Sequence, residues 1–316
     1  MPLSCPANSF LHIGYPKCAS SFLQAKYFTP ENKIANLTKN PDWADYIYRH
    51  LLSSQSLYFN SNVSPDSFYV SPGHLVGISA EGYFGGLNKV DFEIMLQRTR
   101  LVLGDPKVLI IIRNQLDLVY SYYIQMVRTG YFRSACSYLK EIRWNQYQSI
   151  WGQLNFLRAY EMTKKYFSDV LVMPLETTFQ LSQQDALRAL NTFFGLDADF
   201  GDGAVVNSGC PDSEVKMMRI LNYFFRHNYG LSYHSTFNLG NKRFETIGLE
   251  APAWRIQFKI PKIASELGPR VFRGNVKNDK LKFKEKYTSL FYDEFAESNR
   301  TLANMLGLNL EGCGYF

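Results

Sequence analysis

The chain reads as an α/β fold: a single domain in which a mostly parallel central sheet is flanked by helices. Three observations predict this. Phe10 to Ile13 is a short, largely apolar run, and Val108 to Ile112 and Val170 to Met173 are continuous apolar runs, as expected of strands buried on both faces. Each is followed by a segment with helical spacing of its apolar residues. The alternation of strand and helix favours crossover connections and therefore parallel pairing.

Phe10 to Ile13 is broken by Gly14 and Pro16, and an amphipathic segment follows through Ala25 and Tyr27. A polar, aromatic-rich stretch, Thr29 to Ser71, includes a predicted helix from Asp42 to Leu52. Leu75 to Ile78 predicts a short strand, followed by Ser79-Ala-Glu-Gly-Tyr-Phe84. From Asp91 to Leu103, Phe92, Met95, Leu96, Thr99 and Leu103 share one helical face. The Val108 strand leads into a helix reaching Gly130. Ser149 to Phe167 predicts another helix, Val170 to Met173 a fourth strand, and Gln184 to Phe194 a helix closed by Gly195. Asp212 to Arg226 predicts a further helix, and Tyr229 to Lys282 reads as polar and glycine-rich. There is no internal repeat or low-complexity tract.

At 316 residues, 46% hydrophobic and 20% charged, the composition is that of an ordinary globular protein. The net charge of +6 suits a polyanionic ligand, and the absence of a dense Lys/Arg run argues against a nucleic-acid partner. No run of 18 apolar residues occurs, which predicts no membrane span. Cys5, Cys18, Cys136, Cys210 and Cys313 are scattered, odd in number and without metal spacing, which predicts a reducing compartment. No His/Cys/carboxylate cluster suggests a metal. Aromatic residues reach 16%; most of these rings are expected to fill cores, a few to stack on a ligand.

Two motifs carry chemistry. In Ile13-Gly-Tyr-Pro-Lys-Cys-Ala-Ser-Ser-Phe-Leu-Gln24, a strand ends in a tight loop with Lys17, and the hydroxyls of Ser20 and Ser21 open a helix. Unpaired backbone N–H groups and the helix dipole make such a place an anion site. The spacing is not that of the ordinary nucleotide loop, which needs two glycines and then Gly-Lys-Ser/Thr. In Lys107-Val-Leu-Ile-Ile-Ile-Arg-Asn-Gln-Leu-Asp-Leu-Val-Tyr-Ser-Tyr-Tyr123, a strand ends at Arg113 and a helix carries Ser121 eight residues later. A guanidinium forks onto phosphate oxygens, and a serine two helical turns on can reach the same group.

Together the motifs resemble those of sulfotransferases that use 3′-phosphoadenosine 5′-phosphosulfate (PAPS), nearer the bacterial and carbohydrate enzymes than the aryl ones. The similarity extends from Phe10 to Tyr315 and is weakest over Thr29 to Ser71 and Leu231 to Phe283. It implies a fold like that of the P-loop nucleotide kinases over 1–316, with polar insertions at about 29–71 and 231–283 shaping an acceptor site and a cofactor lid. It implies PAPS as donor, its bisphosphate PAP as product, no metal requirement, and a small-molecule or carbohydrate acceptor. Since the animal Golgi enzymes carry a membrane anchor and this chain shows none, a cytoplasmic, bacterial enzyme is expected.

Carried over residue by residue, the resemblance assigns Lys17, Cys18, Ala19, Ser20, Ser21 and Phe22 to the 5′-phosphosulfate, and Arg113 and Ser121 to the 3′-phosphate. Arg273 and Gly274 are the candidates for a closing loop. Lys17 doubles as the catalytic cation. Glu81 is the expected base, with His74 as the alternative because some family members use a histidine. His12, within the first strand, is expected in the core or behind the site. The chain departs from the family at Cys18, where a hydroxyl is usual, and at Ala19, where glycine is usual. Alanine disfavours the positive φ such a loop calls for. Asn114-Gln115 and Leu118 also replace residues frequent in the second motif. Two other readings stand beside this one: a small-molecule kinase using Mg-ATP, and a non-catalytic binding protein derived from a sulfotransferase.

Overall fold

The computed structural model describes residues 8–52, 54, 56–60, 65, 73–83, 91–146, 149–179, 181–201, 210–225, 251–272 and 279–316, with backbone alone at 82, 225 and 251–259. It contains a five-stranded, all-parallel sheet in the order β2-β3-β1-β4-β5. The strands are β1 (Ser9–Gly14), β2 (Ile34–Asn36), β3 (Leu75–Ala80), β4 (Lys107–Ile112) and β5 (Val170–Pro174). In chain order the helices are α1 (Ser20–Lys26), α2 (Pro41–Asp45), α3 (Phe92–Leu103), α4 (Gln115–Arg128), α5 (Ala135–Trp144), α6 (Phe156–Tyr166), α7 (Gln183–Phe194), α8 (Asp212–Phe225), α9 (Ala251–Val271) and α10 (Asp279–Leu306). The α/β fold with a parallel central sheet and flanking helices is therefore present.

Contacts divide the chain into two compact units. The first draws on the described residues within Met1–Leu118, Asn145–Val205 and Ser289–Phe316, and the second on those within Val119–Trp144 and Val206–Thr288. The first unit holds the whole sheet. Every residue of β1 is buried, as befits the central strand of a sheet covered on both faces. Phe10 stacks on Phe28 at 4.7 Å between ring centroids and meets Phe194 edge-on. Each such fully buried ring or aliphatic chain contributes about 1.5–3 kcal/mol. Gly77 of β3 pairs with Phe10. A Cβ placed on Gly77 would lie 1.9 Å from the Phe10 carbonyl oxygen, so only glycine fits there.

Caps explain most helix starts. Asp91, Asn155 and Ser182 each accept a backbone N–H of the helix that follows. Gly195 closes α7 at φ 71°. Three elements differ from the sequence expectation. The helix expected over Asp42 to Leu52 begins at Pro41 and widens into a π-helical turn over Tyr46–Leu51. The helix expected over Ser149 to Phe167 is split: a 3₁₀ turn, Ile150–Gln153, precedes α6, because Asn155 caps a new start. Within the stretch read as a polar loop lies α9, whose period is masked in sequence by Pro261, Gly268 and Pro269.

The second unit is helical. Ile260 and Ala264, four apart on α9, are buried. Half-buried Arg219 of α8 donates to the carbonyl of Phe132, and buried Asn222 donates to those of Val127 and Tyr131, so the end of α4 and its following loop find polar partners on α8.

Candidate active site

Parallel strands of the first unit all present their C-terminal ends along one edge, the usual place for ligands in open α/β sheets. β1 ends there at Gly14, β3 at Ala80 and β4 at Ile112. The residues just beyond them, Lys17, Glu81 and Arg113, are therefore brought to one edge by the register that pairs Ile13 with Ala80 and Gly14 with Ile111.

The loop from Tyr15 to Ala19 is tightly wound. Cys18 donates its backbone N–H to the Tyr15 carbonyl at 3.2 Å. Lys17 sits at φ 66° and Ala19 at φ 59°, both in the left-handed region. The loop thus keeps the shape that glycine usually permits, although alanine occupies the position, and the left-handed conformation costs a non-glycine residue about 1–2 kcal/mol. Ala19 offers α1 no side-chain cap.

Ser20, the first residue of α1, is buried, and its hydroxyl completes no hydrogen bond. It lies directly under Gly14: a Cβ on Gly14 would come within 2.3 Å of Ser20 Oγ and 3.3 Å of Glu81 Cγ. Gly14, Ser20 and Glu81 therefore share one small volume. Glu81 opens the 3₁₀ turn that follows β3. Its side chain reaches solvent, yet protein crowds it enough that desolvation raises its pKa above the usual carboxylate range. The Ser20 hydroxyl and the Lys17 ammonium oppose that rise, each favouring the ionised form. The hydroxyl does so from nearby without completing a well-formed bond.

Arg113 donates Nη1–H to the carbonyl of Lys17 at 3.0 Å, and its buried Nε has no partner. Asn114 follows. Its Oδ1 accepts from the N–H groups of Leu116 and Asp117, capping α4.

The other expected residues are placed as follows. Cys18 is fully buried with its thiol toward the Pro16 carbonyl. Burial pushes the Cys18 thiol well up, and Arg113 only partly offsets this. Ser21 is exposed, while Phe22 is buried against Phe179 and Phe200. Ser121 lies on α4 in the second unit, half-buried. His74 precedes β3, at the opposite end of that strand from Glu81. Seven residue steps along the strand, at a rise of ~3.3 Å each, separate the two by about 23 Å. The structure thus brings Lys17, Ser20 and Glu81 together and leaves His74 apart. Arg273 and Gly274 lie outside the described residues.

His12 is fully buried in β1, its Nδ1 2.8 Å from Ser79 Oγ and its Nε2 without a partner. Burial lowers its pKa to about 3, so it is a neutral core residue. One neighbour of the site escaped the sequence reading. Tyr48, on the π-helical turn, has its phenol pushed up by burial and then by the Glu81 charge. It stands in a polar, aromatic stretch with no motif around it, so nothing in sequence singles it out.

A cationic lysine, a buried unsatisfied hydroxyl, a guanidinium with a buried unsatisfied N–H and a carboxylate with raised pKa form a donor set suited to a phosphosulfate and to removal of a proton. Among the described residues no group of three His, Cys, Asp or Glu side chains could hold a metal, and no helix is long and apolar enough to cross a membrane.

No protein-family model matches this chain, nor does any curated protein. Among solved structures, a sulfotransferase from Alicyclobacillus acidocaldarius is similar at 19% identity and a TM-score of 0.45, over 68% of this chain and 93% of that chain.

Proposed function

We propose that this chain is a PAPS-dependent sulfotransferase acting on a hydroxyl or amine acceptor, with carbohydrates the first class to test. The observation that carries this reading is the convergence of Lys17, Ser20 and Glu81 beyond β1 and β3, with Arg113 of the β4 end bound back onto Lys17. When bound, PAPS supplies the sulfuryl group and departs as the bisphosphate.

Lys17 offers a compact positive charge to the phosphosulfate, where negative charge grows during transfer. Ser20, with its unused hydroxyl, and the exposed Ser21 offer hydrogen bonds to the same group. Arg113 keeps a buried Nε–H for a phosphate oxygen while Nη1 holds the loop. Ser121 is assigned to the 3′-phosphate by motif spacing alone. Glu81 accepts the acceptor's proton; its raised pKa strengthens it as a base while Lys17 and Ser20 keep it ionised. Tyr48, beside Glu81, is a candidate wall for the acceptor.

Transfer of labelled sulfate from PAPS to a panel of sugars and hydroxylated small molecules tests the proposal. Transfer by the native chain, reduced about 10²–10³-fold by Lys17→Ala, is the expected result. Transfer that survives Lys17→Ala intact, or none to any acceptor alongside Mg-ATP-dependent phosphorylation, overturns it.

A further inference from the structure

Behind Arg113 lies a hydrogen-bonded relay that ends at the C-terminus, all within the first unit. Glu176, two residues past β5, accepts the backbone N–H of Asn114 on Oε1 at 2.9 Å and the Tyr315 hydroxyl on Oε2 at 2.8 Å. The Asn114 N–H belongs to the peptide that also contains the Arg113 carbonyl. Fixing it fixes the plane from which the Arg113 side chain departs. Asn114 Nδ2 donates to the Gly314 carbonyl at 2.6 Å and to the Cys313 carbonyl at 3.3 Å. The Tyr315 carbonyl accepts from Asn299 Nδ2 at 2.8 Å. Asn299 is fully buried and exchanges hydrogen bonds with Gln115, the residue after Asn114. Tyr315 itself is buried, with its ring against Phe156.

Both Glu176 oxygens and the side-chain amides of Asn114, Gln115 and Asn299 are used, and three routes join the last residues to the start of α4. One runs through the Glu176 carboxylate, one through Asn299 and Gln115, and one directly from Asn114 Nδ2 to the Gly314 and Cys313 carbonyls. Such a multiply closed network has one low-energy arrangement, because moving any member strands a buried donor or acceptor. At its far end Arg113 grips the carbonyl of Lys17, a residue held at φ 66°. A strained loop keeps its shape only where its surroundings over-determine it.

We propose that Glu176 and Tyr315 are positioning residues that hold Arg113, and through it the Lys17 loop, in the geometry that receives the donor. The binding consequence rests on the PAPS reading; the effect on the loop does not.

A double-mutant cycle separates positioning from general support. Affinity for adenosine 3′,5′-bisphosphate is measured by calorimetry for the native chain, Tyr315→Phe, Arg113→Ala and the double variant. The expected result is a loss of about tenfold for Tyr315→Phe in the native background and none in the Arg113→Ala background. An unchanged affinity, or the same loss in both backgrounds, overturns the proposal, since a merely structural contribution does not depend on Arg113. Should Tyr315→Phe not fold, Glu176→Gln enters the same cycle; a loss confined to the background with Arg113 supports the proposal and an equal loss in both overturns it. If the native chain does not bind the bisphosphate, the donor reading fails. The positioning claim is then decided by hydrogen exchange at the Cys18 amide, which is bonded to the Tyr15 carbonyl. Faster exchange in Tyr315→Phe supports the claim, and unchanged exchange overturns it.

Discussion

Arg113 Nη1 donates to the carbonyl oxygen of Lys17 at 3.0 Å, so two residues 96 apart in sequence form one structural unit at the strand ends. The guanidinium meets the negative end of a main-chain dipole turned toward it. Lys17 adopts φ 66° under that hold. The two motifs recognised in the sequence are thus joined by a direct bond.

Ala19 sits at φ 59° at the start of α1. Ala19→Gly removes a left-handed strain of about 1–2 kcal/mol but adds unfolded-chain entropy worth about 0.4–1 kcal/mol. A net gain in stability of about 0.5–1 kcal/mol is expected, read by urea denaturation. A loss of stability would show that the loop is not wound as described.

Gly14 tests the site's crowding. A Cβ there lies 2.3 Å from Ser20 Oγ, a short side chain that can rotate aside, and 3.3 Å from Glu81 Cγ. Gly14→Ala should therefore cost little stability, about 1 kcal/mol, while displacing two functional groups. Sulfate transfer is expected to fall at least tenfold with a small shift in denaturation midpoint. Gly77→Ala makes the contrast. Its Cβ meets backbone of Phe10, which cannot rotate away, and a loss above about 3 kcal/mol is expected.

Much of this was legible before the structure. β1, apart from His12, and Val108–Ile112 of β4 are apolar at their cores because both their faces are covered, and the loops after them carry charged residues because those strand ends meet solvent. β2 was not legible, since three residues, Ile34–Asn36, are too few to show a period. The Glu81 turn could be picked out, but not that Ser20 would lie unbonded beside it under Gly14. That depends on the parallel register of β1 with β3, which no local pattern encodes. Nothing local ties Asn299 to Gln115 or Tyr315 to Glu176, since the partners stand 184 and 139 residues apart.

His12 gives the fold a pH dependence. Burial lowers its pKa from 6.5 to about 3. The unfolded chain takes a proton below pH 6.5 that the folded chain refuses. The stability tied to neutral His12 is complete above pH 6.5 and is lost as the pH falls toward 3, by about 1.4 kcal/mol per unit. Between pH 6.5 and 5, the native chain should lose about 2 kcal/mol more than His12→Gln does. Equal losses in the two chains would mean that His12 is not buried neutral.

Glu81 sets the pH dependence of the rate. Burial raises its pKa, with Ser20 and Lys17 opposing. As the base it must be ionised, so kcat/KM is expected to climb with pH through an inflection above the ordinary carboxylate range and then level off. Glu81→Gln should remove that inflection and lower the rate about 10²–10⁴-fold. An unaltered profile in Glu81→Gln would assign the proton transfer to another group.

The most direct test of the central claim is a calorimetric titration of the full chain with adenosine 3′,5′-bisphosphate in the absence of magnesium. Saturable binding is expected, weakened tenfold or more (about 1.4 kcal/mol) by either Lys17→Ala or Arg113→Ala. Binding that needs magnesium, or favours ATP over the bisphosphate, or is indifferent to both substitutions, would contradict the account.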